Sequence, residues 1–107
     1  MKQSLSVLDK IVAFITSKLA PEKIILFGSY ARGDNTEKSD IDILIVIKNL
    51  GNERKVTGAL YKALLDEDIS IPIDFLAIDS DKYNELKNKI GYIYKTIDRE
   101  GKVLYGR

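Results

Sequence analysis

Phe27-Gly28-Ser29-Tyr30-Ala31-Arg32-Gly33-Asp34, then Asn35 to Ser39, then Asp40-Ile41-Asp42, is the stretch that decides how this chain folds. Upstream of it, Ile24, Ile25, Leu26 and Phe27 form a short apolar run that reads as a buried strand over 23–27, ending at Gly28. Gly28 lets the backbone turn sharply, so that N–H groups can approach an anion closely. Ser29 adds a hydroxyl, and Tyr30 to Gly33 suits one short helical turn. Downstream, residues 41–47 are apolar apart from Asp42, as expected of a strand covered on both faces. Residues two apart on a strand share a face, so Asp40 and Asp42 point the same way. Adjacent carboxylates repel unless cations neutralise them, which makes the pair a natural divalent-metal site.

Taken alone, a Gly-Ser pair after a strand is an ordinary turn, and Asp-X-Asp at a strand start is an ordinary solvated rim. Together, with Asp40 twelve positions after Gly28, they suit the handling of a nucleoside triphosphate. The arrangement resembles the signature of the nucleotidyltransferases of the DNA polymerase beta superfamily. Within it, Gly-Ser-Tyr-Ala-Arg-Gly and Ser-Asp-Ile-Asp are similar to the minimal nucleotidyltransferases, the MNT proteins. The resemblance covers nearly the whole chain and implies a polymerase-beta-like α/β fold (α+β in some schemes).

The 107 residues suit one domain spanning 1–107 with a single core. A net charge of +1 offers no concentrated basic surface for a nucleic acid, so no direct nucleic-acid contact is expected. Cysteine is absent, which excludes disulfides, thiolate metal sites and a cysteine nucleophile. Histidine is absent too, removing the commonest general base. Asp9, Lys10 and Lys18 interrupt the early apolar residues, so no signal peptide is expected, and no run reaches the roughly 18 apolar residues of a membrane span. A cytoplasmic location is expected.

Outward from the central stretch, Leu5, Leu8, Ile11, Val12, Ile15 and Leu19 predict an amphipathic helix over 4–19, stopped by Pro21. Val56, Leu60, Ala63 and Leu64 predict a second helix over 52–66. Residues 69–78 read as a third strand, with Pro72 favouring a sheet edge or bulge. Ser80 is a candidate cap for one long third helix whose inward stripe is Tyr83, Leu86, Ile90, Ile93, Tyr94 and Ile97, loosened at Gly91 and ended by Gly101. Val103-Leu104-Tyr105 suits an edge strand or a partner contact. If the Gly-Ser turn and Asp40 are to touch one triphosphate, strands one and two must be antiparallel. A helical crossover then makes strands two and three parallel, bringing Asp74 beside Asp42.

Asp74 lies between Ile73 and Phe75, where an unpaired carboxylate would be costly unless it faces out from an edge strand. The superfamily places a third carboxylate on this strand, so the resemblance marks Asp74 as functional. Of the weaker candidates, Arg32 can reach the phosphates or pair with Asp34 or Glu37. Tyr30 suits packing beside the turn, Asp79 and Asp81 suit a helix start, and Asp66, Glu67 and Asp68 suit a solvated helix end.

The resemblance implies that Asp40, Asp42 and Asp74 would hold two Mg²⁺ ions, with Mn²⁺ as a substitute, while Gly28 and Ser29 hold the phosphates of ATP. Asp74 is then a candidate to take the proton of the acceptor hydroxyl. For the acceptor, the MNT resemblance implies a separate helical HEPN protein, a ribonuclease toxin that receives AMP on a tyrosine, with the MNT protein as its antitoxin. Two alternatives stay open: neutralisation of the partner by contact alone, and transfer to a small molecule or an RNA.

Overall fold

The two apolar runs flanking the motif become the two central strands of the sheet. The computed structural model describes residues 2–106, with side chains from Val7 onward, so Leu5 of the first apolar stripe lies outside the described side chains. The elements in chain order are α1 (Lys2–Lys18), β1 (Lys23–Phe27), α2 (Ser29–Arg32), β2 (Ile41–Ile47), α3 (Glu53–Leu64), β3 (Ile73–Asp79), α4 (Ser80–Leu86), α5 (Ile93–Glu100) and β4 (Lys102–Gly106). The sheet order is β3-β2-β1-β4. β1 runs antiparallel to β2 and to β4, whereas β2 and β3 are parallel, as the site requirement predicted.

Alternation along the strands builds two cores. Ile24 and Leu26 of β1, Ile41, Ile43 and Ile45 of β2, and Ile73 and Phe75 of β3 meet Ile11, Phe14 and Ile15 of α1 and Leu60 of α3. On the other face Ile25, Leu44, Val46 and Ile78 meet Tyr83 and Leu86 of α4 and Ile97 of α5. Helices cover both faces, which explains why β1 and β2 carry almost no polar residue. Asp42 shares its face with Leu44 and Val46, and Asp74 with Leu76 and Ile78, so both project on the α4–α5 side.

Three expectations need correction. The third strand begins at Ile73, not Ile69, because Pro72 has no N–H to give a ladder. Ile69 and Ile71 still pack against the core from the preceding loop. The long third helix is two helices, α4 and α5, with Gly91 at φ 100° between them. Ile90 and Ile93, assigned to an inward stripe, are 88% and 50% exposed. Finally, the cap of α4 is the Asp79 carboxylate, which accepts from Asp81 N at 3.0 Å. Ser80, the expected cap, is buried and donates its hydroxyl to Glu22. The tail expected at an edge does form the edge strand β4. No described helix is long and apolar enough to cross a membrane.

Candidate active site

The register of β1 against β2 sets the geometry. Phe27 lies opposite Asp42, so the chain leaving β1 at Gly28 turns beside the start of β2. Gly28 adopts φ 74° and ψ −156°, a conformation that side-chain-bearing residues rarely take. A Cβ at this position would overlap the Asp42 carboxylate. The glycine therefore serves both the turn and the close approach of Asp42 to the backbone. Its carbonyl accepts from Ala31 N and Arg32 N, each at 3.1 Å, and the Ser29 carbonyl accepts from Gly33 N at 2.9 Å and Asp34 N at 3.1 Å. These bonds wind α2 into a single turn and leave the N–H groups of its first residues without intrahelical acceptors.

The second register brings the carboxylates together. Asp42 and Asp74 are direct neighbours across the parallel β2–β3 pair, on strands about 4.8 Å apart. Asp40 lies two residues ahead of Asp42 and is exposed, as is Asp74, while Asp42 is half-buried. Burial first, then the charges of Asp74 and Asp40, push the Asp42 carboxyl above its ordinary range, and Arg32 partly opposes them. Among the described residues the salt bridges are Arg32–Asp34, Lys89–Glu85 and Arg99–Glu100, so no basic side chain is paired with any of the three aspartates. Also among the described residues, no three acidic groups already converge in ligating geometry. The donor set is nonetheless hard oxygen bearing uncompensated negative charge, which fits Mg²⁺ or Mn²⁺.

The weaker candidates find structural roles. Arg32 Nε pairs with Asp34 Oδ2 at 3.2 Å in solvent. Tyr30 packs against the core beside the turn. Asp79 caps α4 at the opposite end of β3, and residues 66–68 are exposed at the end of α3. A cleft of about 180 Å³ opens next to the turn, between Phe27, Gly28 and Arg32 on one side and Ile93, Ile97 and Glu100 on the other.

Tyr61 escaped the sequence reading. Its hydroxyl donates to Asp74 Oδ1 at 3.2 Å and accepts from Phe75 N at 2.7 Å, and its ring packs on Phe75 with centroids 5.1 Å apart. Burial is the main cause that raises its pKa, with the neighbouring Asp74 and Asp40 charges adding to it. It follows Leu60 on α3, outside the apolar stripe of Val56, Leu60, Ala63 and Leu64, and only the packing of α3 over β3 brings it to the site.

Residues 8–104 match the nucleotidyltransferase domain family. The chain belongs to that family. Two relatives from Methanocaldococcus jannaschii, each named "Putative protein adenylyltransferase", are 88% identical over 25 residues (23% of this chain, 25% of the relative) and 59% identical over 53 residues (47% and 54%). The chain thus spans about half or less of the length of these curated relatives. A "putative nucleotidyltransferase" crystal structure from Sulfolobus solfataricus aligns with TM-score 0.56 over 99% of this chain and 79% of that one, at 19% identity, a likeness of fold alone. A crystal structure of a toxin-antitoxin with AMP-PNP aligns with TM-score 0.62 over 94% of this chain and 73% of that one, at 26% identity. The MNT resemblance read from the motif is borne out.

Proposed function

We propose that this protein is a divalent-metal-dependent adenylyltransferase acting in the cytoplasm, which moves AMP from ATP onto a tyrosine of a HEPN-type toxin and so serves as its antitoxin. The observation that carries the reading is the Asp42–Asp74 rung beside the Gly28 turn, where negative charge gathers and no basic side chain among the described residues is paired to it. The adenylyltransferase names of the relatives and the toxin-antitoxin neighbour with AMP-PNP support the substrate and the partner.

Asp40, Asp42 and Asp74 are the residues that would hold the cations. Bound there, Mg²⁺ would neutralise the triphosphate and acidify the acceptor hydroxyl. The Gly28 turn and the Ser29 hydroxyl would hold the β- and γ-phosphates. Asp74, on the outer strand, would take the acceptor proton as the acceptor oxygen bonds to the α-phosphorus. The bond from that phosphorus to the bridging oxygen breaks, and pyrophosphate leaves with the electron pair. Positioning and charge neutralisation supply the rate, which suits a site without histidine.

The test mixes the protein with the product of a neighbouring HEPN-type gene, ATP and Mg²⁺, and reads intact mass. AMP units on a partner tyrosine are expected, and none with the Asp40→Ala, Asp42→Ala double variant, which should also fail to protect cells. Full protection by that variant would mean neutralisation by contact. Labelling of a small molecule or an RNA in place of the partner would refute the acceptor assignment.

A further inference from the structure

We infer that Tyr61 is a positioning residue for Asp74: it reaches around the open edge of the sheet and holds that carboxylate at the metal site without neutralising it. The inference rests on the metal assignment proposed above and extends it to a residue outside the motif. β3 is an edge strand, so among the described residues no strand lies on the outer side of Asp74 to restrain it. On its inner side stands Asp42, which repels it. A carboxylate in that setting swings outward unless something holds it.

Tyr61 meets the requirement in three ways. Its ring is anchored on Phe75, which belongs to the core under α3. Its oxygen accepts from Phe75 N–H at 2.7 Å, so the hydroxyl proton is left free to point at Asp74 Oδ1, 3.2 Å away. The donor is also neutral. A lysine or arginine in the same place would cancel the charge that a cation needs, whereas a phenol directs the carboxylate and leaves its charge in place. Among the described residues, no salt bridge competes for Asp74.

The experiment measures Mn²⁺ binding by calorimetry in the presence of a non-hydrolysable ATP analogue. Tyr61→Phe keeps the ring and removes the hydroxyl, and it should weaken Mn²⁺ binding by roughly tenfold or more. Asp74→Asn should also weaken binding, and the Tyr61→Phe, Asp74→Asn double variant should be no weaker than Asp74→Asn alone, because the hydroxyl acts through that carboxylate. Ile15→Val, a core variant on α1, should lower the melting temperature and leave Mn²⁺ affinity unchanged. In the wild-type protein, a ring-labelled tyrosine resonance should shift on Mn²⁺-free Mg²⁺ addition and should stay in place in Asp74→Asn, which tests the inference even if Tyr61→Phe does not fold. Wild-type Mn²⁺ affinity in folded Tyr61→Phe would reduce the hydroxyl to a cap on Phe75 N–H and overturn the inference. So would AMP found on Tyr61 itself, which would make it an acceptor. Absence of Mn²⁺ binding by the wild-type protein would overturn the metal assignment and this inference with it.

Discussion

At Gly28 and Asp42 one residue makes room for the other. Gly28→Ala places a Cβ where the Asp42 carboxylate lies and forces a side-chain-bearing residue to φ 74°. It should cost about 1–2 kcal/mol of stability and displace Asp42, lowering transfer more than the stability loss explains. Circular-dichroism melts beside an AMP-transfer assay check this. Asp42 itself trades stability for charge. Its folded pKa is raised, so the charged form is disfavoured in the fold, and the penalty is present above that pKa and gone below the ordinary carboxylate value of about 3.9. Metal-free Asp42→Asn should therefore melt higher than wild type at pH 7, with the gap closing in acid. The same variant should lose transfer activity by about a hundredfold or more. A lower melting temperature at pH 7 would show that Asp42 has a structural partner.

At the scale of elements, caps and breaks explain where the sequence reading slipped. Asp79 accepts from Leu50 N at 3.1 Å and from Asp81 N at 3.0 Å, joining the loop after β2 to the start of α4. The Leu50 N–H is the main cause that holds its carboxyl below the ordinary range. For a depressed carboxyl, the stabilisation is present above the ordinary value and is lost as the pH falls through the folded one. Asp79→Asn should thus be less stable than wild type at pH 7, with the difference shrinking as the pH drops below about 4. Melts between pH 2.5 and 7 resolve the trend. At the end of the same loop, Asn52 Oδ1 accepts from Lys55 N at 3.1 Å and caps α3. Asn52→Ala should cost about 1 kcal/mol and leave nucleotide binding unchanged, because this end of α3 lies away from Asp74.

For the whole molecule, site and stability are linked through the repulsion of the carboxylates. A ligand that binds only the folded protein at a hundred times its dissociation constant adds about 2.7 kcal/mol. For a domain of this size that raises the melting temperature by roughly 10 °C. Mg²⁺ with a non-hydrolysable ATP analogue should produce such a rise, and the same analogue in EDTA should produce little, since three uncompensated carboxylates repel a triphosphate. An equal rise in both conditions would remove the metal from the binding step.

The two central strands and the turn between them were legible from local pattern, an apolar run on either side of Gly28-Ser29 and Asp40-Ile41-Asp42. Their antiparallel direction followed from the requirement that the turn and the carboxylates touch one triphosphate, and the sheet has it. Asp74 was legible as a carboxylate in an apolar strand. The start of that strand was not, since an apolar run does not reveal which residues find a ladder partner. Whether residues 80–100 form one helix or two also lay beyond the sequence: Tyr83 and Ile97 repeat with helical spacing whether or not the chain breaks at Gly91. Tyr61 was decided by tertiary structure alone. Nothing local distinguishes it from a solvent-side tyrosine, and its hydroxyl reaches Asp74 only because α3 packs over the edge strand that carries that carboxylate.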